Sequence, residues 1–99
     1  MRKSFQESIE HLSPECLKYV LELYENRYPG LSMMEIAALE KVSILFCDLG
    51  GRNEPALVRF TNKRILIAID AALPMEDHMV HFALRLREVE QMRSRRNAA

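Results

Sequence analysis

His78 and His81 stand three residues apart in a helical stretch, a spacing at which two imidazoles on one helix face can chelate zinc. A zinc site needs at least a third protein ligand, and neither Glu-x-x-His nor Cys-x-x-Cys accompanies the pair. The two are therefore read as solvent-facing or interface histidines, and His11 as an isolated exposed one. Ser4, Ser13 and Ser32 each sit where a helix begins, so their hydroxyls are caps rather than nucleophiles. Gly50-Gly51 has no Lys-Ser or Lys-Thr behind it and makes no phosphate loop. Cys16 and Cys47 lie far apart inside apolar patterns and read as buried reduced thiols. With no nucleophile beside a base and no ligand set, the expectation is a protein that binds rather than catalyses. No cofactor, metal or small-molecule substrate is expected.

The remaining chemistry is charge. Arg85, Arg87, Arg93, Arg95 and Arg96 crowd the C-terminal end, and Arg87, Arg95 and Arg96 are candidate phosphate contacts. Glu88 and Glu90 interleave with them, and the ordinary reading is a solvated helix face ending in a frayed basic tail over residues 94–99. The 99-residue chain carries 14 Lys and Arg against 14 Asp and Glu, whereas a dedicated nucleic-acid binder usually has a basic excess. The halves differ: five basic and eight acidic side chains precede residue 51, nine basic and six acidic follow. That asymmetry permits steering of a charged partner or antiparallel self-association.

The elements that must position these groups start at clear signals. Ser4 with Glu7 fits a capping box opening a short helix over residues 5–11. Ser13-Pro14 is an N-cap followed by proline at the first helical position, and Leu17, Val20, Leu21, Tyr24 and Tyr28 recur at helical spacing as far as Tyr28-Pro29-Gly30. Ser32 and Glu35 form another capping box, and Ile36, Leu39, Val42, Leu45, Phe46 and Leu49 predict one helix from Met33 to Leu49, stopped by Gly50-Gly51. Residues 50–55 are the one evident loop. Residues 56–73 fit either an apolar helix broken near Thr61 or a hairpin, 57–61 and 64–69, turning at Asn62-Lys63; the helix is preferred. Met75, Met79, Phe82, Leu86, Val89 and Met92 then repeat at three and four residues along an amphipathic helix from Met75 to Arg95, with Glu76 and Asp77 in its first turn.

The fold expected is an all-α compact bundle of four to five helices with a long C-terminal helix, one domain over residues 1–99. The alternative is α+β, winged-helix-like, with a hairpin at 57–69. The N-terminus does not read as a signal peptide, and no run of about 18 apolar residues is present, so the cytoplasm is the default compartment.

Two short stretches resemble DNA-binding motifs. Glu35-Ile36-Ala37-Ala38-Leu39-Glu40-Lys41-Val42-Ser43 resembles the start of a helix-turn-helix, with Lys41 where the turn glycine usually stands. The helix that would follow, Ile44 to Leu49, carries no arginine, asparagine or glutamine to read base edges. Leu57 to Lys63 looks like the wing strand of MarR-type winged-helix regulators, with Arg64 at the customary glycine and the spacing shorter by about one helix. The resemblance implies a small transcriptional regulator, the alternative function. The preferred expectation is a regulatory adaptor or inhibitor that binds another protein, as a homodimer, through an apolar seam. That seam comprises Met75, Met79, Phe82, Leu86, Val89 and Met92, rimmed by Arg85 and Arg93. Six methionines suit such an adaptable surface.

Overall fold

The structure, a computed structural model, describes residues 4–50 and 54–98. The elements run α1 (Phe5–Ile9), α2 (Pro14–Leu21), α3 (Met33–Glu40), β1 (Ser43–Cys47), β2 (Ala56–Phe60), β3 (Ile65–Asp70) and α4 (Met75–Ala98). This is an α+β fold with a three-stranded mixed sheet, not an all-α bundle. The capped helix starts are in place. The Ser4 hydroxyl accepts from the Glu7 N–H at 3.1 Å and Ser13 from Cys16 at 3.3 Å. Ser32 and Glu35 close a full capping box at 3.2 and 3.1 Å. Past Leu21 the second helix widens into a π-helical segment, Glu22–Arg27, which ends with the Tyr28 N–H reaching back to the Leu23 carbonyl at 2.9 Å.

The helix expected to continue from Met33 to Leu49 stops at Glu40. Lys41 adopts the left-handed conformation (φ 60°, ψ 41°), its N–H bonds to the Ala38 carbonyl at 3.3 Å, and the Val42 N–H bonds to Ala37 at 3.0 Å. That pair of bonds is a Schellman motif with lysine in place of the usual glycine. The would-be recognition helix is therefore β1, and Ser43 to Cys47 lie parallel to Leu66 to Asp70 of β3. Gly51, offered as the helix stop, lies outside the described residues, and Gly50 instead bonds the Asp48 carboxylate at 2.7 Å.

Residues 56–70 are the hairpin rather than the preferred helix. Ala56 to Phe60 run antiparallel to Ile69 to Ile65, and Thr61 and Arg64 close the tip through an N–H to carbonyl bond of 2.9 Å. The strand order is β1-β3-β2, so β3 is central, and Ile67, Ala68 and Ile69 are all buried. The run Ile65 to Ile69 is apolar at every position, which periodicity does not separate from a buried helix.

α4 is the middle layer. It packs against α1 and α2 on one side and against β2 and β3 on the other. One core joins Ile9, Val20, Leu23, Ile36, Ile67 and Ile69 to Val80, Phe82, Ala83, Leu86 and Val89. Burying each of the larger side chains is worth about 1.5–3 kcal/mol. The helix continues through Ala98, so residues 94–98 of the expected frayed tail are helical. Among the described residues no helix is long and apolar enough to cross a membrane.

Candidate functional site

Three segments remote in sequence meet at one end of the sheet. They are the left-handed residue Lys41, the hairpin tip with its strand ends (residues 60–65), and the last turns of α4. Between them lies a groove of about 780 Å³ lined by Lys41, Lys63, Arg64, Arg93, Arg95 and Arg96, with Phe60, Ile65 and Met92 as its apolar part. Six of the chain's 14 cations thus gather on one concavity, and no described acidic residue lines it. Among the described residues Lys41, Lys63, Arg64, Arg95 and Arg96 are not ion-paired to a carboxylate. The negative end of the α4 dipole, equivalent to about half a charge, favours arginines in the last turn and offsets only a small part of this field.

A polar network holds the groove's walls together. Arg93 Nη2 donates to the Glu40 carbonyl at 2.9 Å, and its Nη1 lies 3.9 Å from the Glu40 carboxylate. That carboxylate also accepts from the Tyr28 hydroxyl and sits 3.9 Å from Arg27. Arg27 in turn pairs with Glu22 at 3.1 Å and with Glu90. The end of α3, the π-helical segment and the last turns of α4 are thereby locked in one arrangement. The Glu40 hydrogen bond, seconded by burial, raises the Tyr28 hydroxyl above the usual tyrosine pKa. Burial does the same to Tyr24 and, with the Glu90 charge adding to it, to Tyr19.

The seam residues part company. Phe82, Leu86 and Val89 are fully buried in the chain's own core, so in the folded molecule they present no face to a partner. Met79 is half-buried, with its carbonyl accepting from the Tyr24 hydroxyl. Met75 is 61% exposed but lies about 25 Å along the helix from Met92 at 1.5 Å per residue. Arg85 pairs with Glu88 at 3.3 Å. Met92 and Arg93 belong to the groove, as do Arg95 and Arg96 of the phosphate candidates. Arg87 faces a smaller depression beside Tyr19, Glu90, Gln91, Ser94 and Arg95, and it reaches Glu15 at 3.8 Å.

Sequence reasoning did not single out Lys41, Phe60, Lys63 and Arg64. The available signal was the hairpin alternative, which places Lys63-Arg64 at a tip. His78 is buried, its Nε2–H reaching the Asp70 carbonyl at 3.0 Å and its ring 4.9 Å from that of Phe46. It is not solvent-facing, because Phe46 and the end of β3 pack against it. His81 is half-buried and His11 exposed. Cys16 and Cys47 are free thiols, half-buried rather than buried: Arg87 Nη1 reaches the Cys16 Sγ at 4.0 Å, and Cys47 lies on β1, an edge strand. Among the described residues no group of three or more His, Cys, Asp and Glu side chains is placed to hold a metal ion. No family model, curated protein or solved structure matches this chain.

Proposed function

We propose that this chain is a non-enzymatic binding module whose cationic groove takes the phosphate backbone of a nucleic acid. The observation that carries it is the concentration of Lys41, Lys63, Arg64, Arg95 and Arg96 around one concavity, none of them ion-paired to a carboxylate among the described residues. Like charges held together repel, and a chain of zero net charge has acids enough to neutralise them locally. Gathered on one concavity, they make a site for a polyanion, which gains affinity by releasing its own counterions. This favours the nucleic-acid expectation over the seam, whose central residues are interior.

The test is fluorescence anisotropy of labelled mixed-sequence oligonucleotides, single-stranded and duplex, across a salt series. Log affinity is expected to fall linearly with log salt, by about 0.7–0.9 per phosphate neutralised. The double variant Lys63→Glu, Arg64→Glu lies on an exposed tip and should weaken binding by about ten-fold or more with unchanged circular dichroism. Absence of binding to either form at low salt defeats the proposal.

Self-association retains one supporting observation. The sheet face away from α4 carries Leu45, 47% exposed, with Leu57 and Leu66 half-buried beside it. Arg59 stands toward one end of that face and Asp70 at the other. A second copy stacked with its strands reversed would bring these unlike charges together. Sedimentation of Leu45→Glu against wild type decides this: a wild type that is monomeric at high concentration ends the reading.

A further inference from the structure

Phe60 is the groove's anomaly. It continues the core face of β2 beyond Ala56 and Val58, paired with Ile65 at the end of the ladder, yet its ring is 47% exposed. Across the groove Met92 is 40% exposed. Phosphates gain nothing from an aromatic ring and a thioether, and an apolar floor among cations is costly to leave wet. A nucleobase is the part of a nucleic acid that fits there, because every base has a face that can stack on an aromatic side chain. In a duplex those faces are closed against neighbouring base pairs, and only edges show in the grooves.

We infer that the groove selects single-stranded nucleic acid, with one unpaired base stacked on Phe60 between Lys63-Arg64 on one wall and Arg93, Arg95 and Arg96 on the other. This rests on the nucleic-acid reading of the same groove and adds to it the strand state and the residue that senses it. The dimensions agree: about 780 Å³ is the size of a cleft that encloses a small ligand, and it is concave where duplex readers insert a helix or ribbon. Arg95 also borders the smaller depression with Tyr19 and Arg87. The strand therefore leaves the groove over the last turns of α4, with Arg95 and then Arg87 beside its phosphates.

The experiment uses an oligonucleotide of about 12 nucleotides, within the span of common single-strand sites, carrying one central 2-aminopurine, both free and annealed to its complement. Wild type is expected to prefer the single strand and to quench the 2-aminopurine as it stacks. Phe60→Leu keeps the apolar bulk and the fold but removes the π-face. It should weaken single-strand binding by about five-fold or more and abolish the quenching. Phe60→Tyr should restore both. Equal or tighter duplex binding, or a Phe60→Leu variant that binds and quenches like wild type, overturns the inference while the cationic groove reading stands. No binding of either form overturns both.

Discussion

Arg93 reaches from the last turns of α4 to the carbonyl of Glu40 at 2.9 Å, the residue that ends α3. One guanidinium thus ties together two elements 53 residues apart and fixes where the groove's walls stand. Arg93→Ala removes that donor and leaves the Glu40 carboxylate, among the described residues, with Tyr28 and Arg27. Stability should fall by about 1–2 kcal/mol, measured by urea denaturation. An unchanged denaturation midpoint would mean that the clamp is incidental.

Leu86 is fully buried between the helical layer and the sheet. Leu86→Asp puts a carboxylate into that core, where desolvation and lost packing together should cost more than about 4 kcal/mol. The expected result is loss of cooperative thermal unfolding by circular dichroism. A folded but merely monomeric variant would restore the seam as an intermolecular contact and contradict the burial described above.

Lys41 holds a left-handed backbone, which costs an L-residue about 1 kcal/mol relative to glycine. Lys41→Gly should raise stability by about 0.5 kcal/mol once the greater freedom of the unfolded chain is counted. The same substitution removes a groove cation and should weaken nucleic-acid binding. A lysine tolerated at a strained helix end for its charge predicts these opposite signs. If both quantities fall together, or both rise, the charge is not why lysine stands there.

Three tyrosines and no tryptophan make the ultraviolet absorbance near 295 nm a clean reporter of phenol ionisation. Tyr19 and Tyr24, pushed up mainly by burial, and Tyr28, held up first by its hydrogen bond to Glu40, should all titrate above the ordinary value near 10. The unfolded chain ionises near 10 while the folded one stays protonated. This stabilisation is therefore fully present below pH 10 and is lost as pH rises toward the folded values. Alkaline unfolding should accompany the absorbance change. A tyrosine titrating near pH 10 in the folded protein would contradict its placement.

The sequence alone was sufficient for the capped helix starts. Ser13 before Pro14 and the Ser32–Glu35 box announce helix starts because a cap is satisfied within three residues of itself. The recurrence of Phe82, Leu86 and Val89 marks one face of a helix wherever that helix ends up. It does not say what covers the face, and both the N-terminal helices and the sheet turned out to need it. Helix against strand was decided elsewhere. Ser43 to Cys47 have no local partner for their backbone hydrogen bonds until they meet Leu66 to Asp70 in parallel, more than 20 residues away. Lys41 terminates α3 without the glycine that would have announced it. The arginines at the end of α4 were legible in the sequence, but the groove was not, because Lys41, Phe60 and Arg64 become neighbours of Arg95 only when the hairpin and the end of α4 close on the same end of the sheet.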